Sequence, residues 1–103
     1  MGSRRWIGLV KLEDIEVREP WNEDRLKDVR EWANEETLTR IELTADGDLP
    51  RPIPLPVIGS KILNGKRITK YMIGNGVHRI IRARELGMKY ILACVEDACY
   101  EKT

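Results

Sequence analysis

The residues best suited to binding a ligand form one short run that combines two glycines with a histidine and an arginine. The run consists of Gly74, Asn75, Gly76, Val77, His78 and Arg79. It follows a largely apolar segment, 70–73, with the length of a buried strand, and it precedes apolar residues at helical spacing. The first N–H groups of a helix lack acceptors within the helix, and the helix dipole is positive there, so they attract an anion. The sequence therefore predicts a phosphate-binding turn at 74–79.

Each residue of this turn also has a purely structural interpretation. His78 either serves as a phosphate donor or general acid, or it merely caps the helix or packs beneath it. Arg79 carries a planar fork that fits phosphate oxygens, and the same fork fits an ion pair with an acidic residue of the first half. Gly74 and Gly76 suit the close approach of a ligand as well as a strained turn, since both require a residue without Cβ. The sequence leaves these alternatives open.

Length and composition are those of one folded domain spanning 1–103. The chain has 103 residues, of which 42% are hydrophobic and 34% are charged, as in ordinary globular proteins. It contains no apolar segment long enough to cross a bilayer and no leader pattern, so we expect a cytoplasmic protein without a membrane partner. It has no glutamine and many Lys, Arg and Glu residues, a composition that favours a thermophilic source.

Charge is distributed unevenly, with acidic residues dominating 12–48 and basic residues dominating 51–89. A partner with phosphates would be drawn to the basic half, unless the two halves neutralise each other across the surface. The basic residues predicted to contact nucleic acid are Lys61, Lys66, Arg67, Lys70 and Arg82. Several of them flank a hairpin, where lysines also serve to protect a sheet edge from pairing.

The predicted elements of the first half begin with a strand at 7–12, after a loose arm at 1–6. Asn22 is a candidate N-cap, and a first helix is expected from there to about Glu35. The segment 37–51 is predicted to be a short strand or an irregular insertion, because alternating apolar residues give way to turn residues and proline.

The second half begins with a proline-rich apolar run at 52–58, which restricts it to an edge, a bulge or the start of a strand. Asn64-Gly65 predicts a hairpin leading into 67–73. The helix after the glycine turn should end near Leu86, with Gly87 as its C′ residue. A last buried strand is expected at 90–95, followed by a frayed or partly helical tail at 97–103. The predicted fold class is α+β, a small mixed β-sheet packed with two main helices.

The order of these pieces resembles the ParB/sulfiredoxin superfamily. The matching segments are Leu9–Leu12, Arg25–Val29, Arg51–Ile53, Ile73–Arg79, Glu85–Gly87 and Ile91–Val95. The resemblance covers most of the chain and implies a ParB/sulfiredoxin-like fold. It also implies that a phosphate of a nucleotide or nucleic acid binds at the Gly-x-His-Arg turn, where the helix-terminus argument independently places an anion.

The resemblance implies several activities, and individual residues discriminate among them. Sulfiredoxins need a cysteine where this chain has Val77, so their chemistry is set aside. The serine-kinase branch is matched by Glu19, a catalytic candidate, but it has an acidic residue where this chain has Asn75, which cannot take a proton or hold Mg²⁺ as a carboxylate does. The leading expectation is therefore a ParB-like domain that binds nucleotide or nucleic-acid phosphates.

Whether the domain is an enzyme stays open at this point. As a ParB-like nuclease or nucleoside triphosphate hydrolase, it would use His78 to protonate the leaving oxygen and Glu19 to hold Mg²⁺. One alternative is an ADP- or ATP-dependent kinase of a small hydroxyl compound such as serine, and another is a non-catalytic DNA- or protein-interaction domain. The expected cofactors are ATP or another nucleotide and Mg²⁺. The expected partners are nucleotide, DNA and a second copy or larger complex.

Overall fold

The protein was analysed as a computed structural model that describes residues 2–18, 20–39 and 55–101. Its strands are β1 (Gly2–Lys11), β2 (Ile15–Glu16), β3 (Val57–Leu63), β4 (Lys66–Arg67), β5 (Tyr71–Asn75) and β6 (Tyr90–Tyr100). Its helices are α1 (Glu23–Trp32), α2 (Glu35–Leu38) and α3 (Val77–Glu85), and a 3₁₀ turn (Leu12–Asp14) joins β1 to β2. Within these ranges no helix is long and apolar enough to cross a membrane.

The strands form one mixed sheet in the order β1-β6-β3-β5-β2, with β4 paired to β3. Neighbours are antiparallel for β1–β6 and β3–β5 but parallel for β6–β3 and β5–β2. The helices α1 and α3 pack against each other, and core residues of α3 lie against one face of the sheet. The predicted α+β class, a mixed sheet with two main helices, is confirmed.

The core lies between that face and the helices, as the alternation along β6 indicates. Ile91, Ala93 and Val95 are fully buried and project toward the helices. Ile80 and Ala83, one turn apart on α3, are also fully buried. Burial of these apolar side chains fixes the position of α3 on the sheet, and with it the position of the glycine turn at the start of α3.

The helix α1 begins as predicted and ends earlier. The Asn22 side chain accepts hydrogen bonds from the backbone N–H groups of Asp24 at 2.9 Å and Arg25 at 3.3 Å, which caps the helix. The helix ends at Trp32 rather than near Glu35, because Asn34 starts α2 with its own capping box. Residues 37 and 38 of the predicted insertion belong to α2, while 40–51 lie outside the described residues.

The hairpin turn and the end of α3 lie close to where the sequence predicts them. Asn64 and Gly65 both have positive φ, 51° and 81°, as a two-residue hairpin turn requires. The helix α3 ends at Glu85, one residue before the predicted end, and Gly87 follows with φ of 72°. Residues 55 and 56 precede β3, and the rest of the proline-rich run before them, 52–54, is outside the described ranges.

The two termini differ from the prediction, since residues 2–6 of the arm and 97–100 of the tail belong to strands. β1 extends back to Gly2 and β6 extends on to Tyr100, in unbroken antiparallel register. The extension buries the Asp97 side chain completely. A charged group can be buried only when donors surround it, so the contacts of Asp97 explain why this end of the sheet is ordered.

The Asp97 carboxylate accepts four hydrogen bonds from side chains of three strands. Its donors are Ser60 Oγ at 2.8 Å, Arg4 Nη2 at 3.1 Å, Arg67 Nη2 at 3.1 Å and Trp6 Nε1 at 3.3 Å. Burial raises the pKa of the Asp97 carboxyl, but these hydrogen bonds and the positive charges outweigh burial, so the pKa lies below its ordinary value. The network joins β1, β3 and β4 to β6.

This lowered pKa predicts acid sensitivity. Because the folded-state pKa of Asp97 lies below the unfolded value, the ionised carboxylate stabilises the fold above the unfolded pKa, and this stabilisation is lost as the pH falls through the folded pKa. We expect the free energy of unfolding to decline below about pH 4. Asp97→Asn has no carboxyl to protonate and should show a smaller decline. Urea denaturation at a series of pH values measures both, and parallel declines would contradict the assignment.

Candidate functional site

The glycine turn forms one wall of a cleft with a volume of about 300 Å³. Residues 72–78 line it together with Glu16, Arg18 and Arg25. Parallel pairing of β2 with β5 brings Glu16 alongside the turn, because Glu16 is in register with Met72. The volume is at the lower end of the range for small-molecule sites, and the sequence-predicted turn is part of it.

Gly76 gives the turn its shape and leaves the start of α3 uncapped. It is the N-cap residue of α3, with φ of 87° and no side chain to accept a hydrogen bond. A Cβ atom at this position would lie 2.7 Å from Cα of Pro56, closer than real Cβ contacts. The Arg79 N–H donates to the Gly76 carbonyl oxygen at 3.2 Å. The N–H groups of Val77 and His78 have no acceptor among the described residues, and they present partial positive charge at the cleft.

His78 joins the starts of the two main helices. Its Nε2 accepts a hydrogen bond from the backbone N–H of Asn22, the N-cap residue of α1, at 3.0 Å. An imidazole nitrogen accepts a hydrogen bond only when it carries no proton. In this structure His78 thus links α3 to the start of α1, a structural contact that differs from the predicted capping of its own helix. A role as proton donor through Nε2 would require this hydrogen bond to break.

Two arginines from outside the turn line the cleft, and only one of them is neutralised by a described residue. Arg18 forms a two-point ion pair with Glu16, with Nε–Oε1 at 3.0 Å and Nη2–Oε2 at 3.1 Å. The hydrogen bond from Arg18 lowers the pKa of the exposed Glu16 carboxyl. The Arg25 side chain, in contrast, makes no hydrogen bond or ion pair with another described residue. Among the described residues of the cleft, Arg25 is the cation that no carboxylate pairs with.

Arg79, predicted to bind phosphate, does not line the cleft. Its guanidinium lies over the Trp32 ring, 4.8 Å from the centroid, because this third residue of α3 faces α1. Partial burial there lowers the pKa of Arg79. The expected alternative, an ion pair with an acidic residue, is not seen in the described part of the chain either. Arg79 of α3 instead makes a cation–π contact with Trp32 of α1.

The basic residues predicted to contact nucleic acid are not gathered at the cleft. Asn75 of the turn pairs with Val57, at the start of β3, whereas Arg67 pairs with Ile62 near its end. At about 3.3 Å per residue, the turn and the hairpin are separated by roughly 17 Å along β3. Lys61 and Lys66 are exposed near the hairpin, at the opposite end of the strand from the turn.

The other members of this basic set are engaged in contacts within the chain. Arg67 binds Asp97 and Ser60 and stacks on Tyr71 at 4.3 Å. Arg82 donates to the carbonyl oxygen of Ala33 at 3.1 Å and lies 3.7 Å from Glu85. Lys70 Nζ donates to the carbonyl oxygen of Glu13 at 3.4 Å. Of the residues predicted to contact nucleic acid, Lys61 and Lys66 are therefore the two for which no contact with another side chain or carbonyl oxygen is described above. The Lys70 ammonium makes one long hydrogen bond.

The expected magnesium site is not formed by the described residues. Glu19, predicted as its ligand and as a catalytic residue, lies outside them. Within the described ranges no group of three His, Cys, Asp or Glu side chains could hold a metal ion. Glu16 is the carboxylate among the cleft residues given above, and it is paired with Arg18.

Comparisons with known proteins do not add to this picture. No family model, no curated protein and no solved structure matches the chain. The ParB/sulfiredoxin resemblance stays a prediction, and inference about function rests on the cleft itself.

Sequence reasoning did not single out Arg18, Arg25 or Glu16 as residues of the cleft. Each lies about fifty residues or more before the turn along the chain. The parallel β2–β5 pairing and the His78–Asn22 contact bring them to it. One signal was available, since Arg25 lies in the first turn of a helix whose other early residues, Glu23 and Asp24, are acidic. A cation is unfavourable near a helix N-terminus unless it serves another purpose.

Proposed function

We propose that the cleft at 72–78 binds the phosphates of a nucleotide or nucleic acid, without catalysing a reaction on them. The observation that carries the proposal is that the Arg25 side chain, which pairs with no other described residue, and the start of α3, which has no side-chain cap, line the same cleft. Phosphate oxygens accept hydrogen bonds from backbone N–H groups and from an arginine fork at once. An apolar ligand would use neither group.

The electrostatics of the cleft support an anionic ligand. Arg18 and Glu16 neutralise each other, which leaves Arg25 and the positive end of the α3 dipole as the charges that a ligand meets. Arg18 also carries further N–H donors beyond those used on Glu16. An anion entering the cleft would therefore add a favourable interaction without displacing an existing ion pair.

The contact made by His78 favours binding over hydrolysis or phosphoryl transfer. A general acid must present its proton to the leaving oxygen, whereas His78 Nε2 accepts the Asn22 N–H. Asn75 occupies the position at which the serine kinases have an acidic residue, and an amide cannot accept a proton as a carboxylate does. A nuclease, a nucleoside triphosphatase and a serine kinase are thus alternatives that depend on Glu19, outside the described residues.

Thermal unfolding with added ligand tests the proposal. ATP, ADP, CTP, GTP and a short DNA are each compared with and without Mg²⁺, since a ligand of the folded state raises its stability. At one hundred times the dissociation constant the gain is about 2.7 kcal/mol, which shifts the Tm of a domain of this size by roughly 10–20 °C. Unchanged Tm with every ligand would contradict the proposal.

Arg25→Ala is expected to weaken binding of the best ligand about tenfold to a hundredfold, because a hydrogen bond to a charged group contributes about 1.5–3 kcal/mol. Isothermal titration calorimetry measures the change. Lys27→Ala is the matched control, as it removes the same charge from an exposed position of α1 that does not line the cleft. Equal losses in the two variants would show a nonspecific charge effect and overturn the role of Arg25.

A further inference from the structure

The strand β1 lies at the edge of the sheet, and its pairing with β6 determines which backbone groups are free. The Leu12 N–H donates to the Lys89 carbonyl oxygen at 2.9 Å, one step beyond the end of the β1–β6 register. In an antiparallel pair, hydrogen-bonded and non-hydrogen-bonded positions alternate. The even-numbered residues of β1 therefore bond to β6, and the odd-numbered ones direct N–H and C=O away from the sheet.

A second contact agrees with this assignment. Cys94, which is opposite Ile7, donates its backbone N–H to the Pro56 carbonyl oxygen at 2.9 Å, on the β3 side of β6. Cys94 thus does not bond to Ile7, whose backbone groups point to the free edge. The residues with free edge groups are Ser3, Arg5, Ile7, Leu9 and Lys11. No described strand pairs with them.

The centre of this edge, residues 6–10, lacks the features that normally prevent pairing with another strand, and the charged residues Arg4, Arg5 and Lys11 lie on either side of it. Natural edges are shortened, bulged, or interrupted by proline or charge. β1 has ten residues, contains no proline and keeps an unbroken register with β6. At its centre Ile7 and Leu9 are 51% and 54% exposed, on the sheet face that the helices leave uncovered. A further strand would find backbone partners and apolar side chains together.

We propose that β1 pairs with β1 of a second copy of this chain, antiparallel about a two-fold axis at Ile7. Ile7 then faces Ile7 of the second copy, Arg5 faces its Leu9, and Ser3 faces its Lys11. A two-fold axis makes the contact self-complementary and closed. Branched apolar side chains meet at the centre, a favourable cross-strand pair, and no like charges are directly opposite.

Charge selects this register over its neighbours. A one-residue shift would pair free edge groups with groups already used by β6. A two-residue shift in one direction sets Arg5 against Lys11. A shift in the other direction brings the two Arg5 side chains within two residues, about 7 Å along the strands, whereas the proposed register separates them by about 14 Å. The smaller separation lies within the screening length of about 8 Å, and the larger one does not. The ion pair of Arg5 with Glu96 of its own chain reduces the repulsion in both registers.

The size of the contact suits a specific interface. Five facing pairs of odd-numbered residues exchange two hydrogen bonds each, about ten in all, which is the number typical of a protein interface. Four exposed apolar side chains, Ile7 and Leu9 of each copy, lose contact with water. The cleft at 72–78 is on the other side of β6 and β3 from this edge, so both copies keep it accessible.

Sedimentation analysis of designed variants tests the pairing. The wild-type chain is expected at twice the mass of one copy. Ile7→Lys sets two ammonium groups face to face and should return the mass to one copy. Ile68→Lys is the matched control, because Ile68 is 53% exposed and lies outside β1, and it should remain a dimer. Leu9→Lys, which would face Arg5 of the second copy, should also be a single copy.

A mixing experiment tests the axis itself. Ile7→Glu alone should be a single copy, but mixed with Ile7→Lys it should form a heterodimer, since residue 7 faces residue 7 only in the proposed register. Circular dichroism first establishes that each variant is folded. A wild-type chain that sediments with the mass of one copy would overturn the proposal. A dimer that persists in both Ile7→Lys and Leu9→Lys would do the same, and failure of the mixture to associate would overturn the register.

Discussion

Asp97→Ala is expected to lower the free energy of unfolding by about 3 kcal/mol, at the lower end of the cost of breaking a buried charge pair. The substitution removes a fully buried carboxylate and leaves Ser60 and the two arginines without their acceptor. The cost is limited because the side chains of Arg4 and Arg67 are 57% and 34% exposed and can turn to water. Urea denaturation followed by circular dichroism measures the loss.

The neighbouring residue provides the control. Glu96 forms an ion pair with Arg5 at 3.0 Å, but both side chains are largely in water. Exposed pairs of this kind contribute about 0–1 kcal/mol, so Glu96→Ala should have little effect. Both substitutions remove one paired carboxylate from adjacent positions of β6, and only burial and the number of donors distinguish them. Similar losses for the two would show that the network around Asp97 is not what orders the termini.

The elements that the sequence predicted correctly are those with a local physical cause. Asn22 caps α1 because its side chain reaches N–H groups two and three residues ahead. Asn64-Gly65 turns the chain because these residues tolerate positive φ. Such signals need no knowledge of the rest of the chain.

The termini were not predictable in the same way, because their order depends on a distant network. Asp97 stands in a polar stretch that looks like a surface tail, and its donors come from residues 4, 6, 60 and 67. No local pattern marks these residues as partners. They meet only because β6 lies between β1 and β3, a matter of sheet topology.

The candidate site divides along the same line. The turn at 74–79 was predicted from its glycines and the helical pattern that follows, and its residues 74–78 line the cleft. Which cation lines the cleft with them was not predictable, since that depends on how α1 docks. Docking places Arg79 against Trp32 and leaves Arg25, from a different helix, among the lining residues.

Gly76→Ala is expected to destabilise the fold by about 2–5 kcal/mol. A left-handed backbone conformation costs a residue with Cβ about 1–2 kcal/mol, and Gly76 has φ of 87°. The added methyl group would also lie 2.7 Å from Cα of Pro56, and forcing an extra carbon into packed structure costs about 1–3 kcal/mol more. The fully buried Pro56 cannot move aside as a flexible side chain could. The shift in urea midpoint, at unchanged slope, reports the effect.

Gly65→Ala separates the two contributions. Gly65 has a similar φ of 81°, but an added Cβ would meet no atom within 4 Å. This variant should therefore lose only the conformational part, about 1–2 kcal/mol. The difference between the two variants measures the contact of the turn with Pro56, which holds the start of α3 against β3. Equal losses would mean that the backbone of the turn shifts to accommodate the methyl group at little cost. The contact between Gly76 and Pro56 would then not hold the turn rigidly.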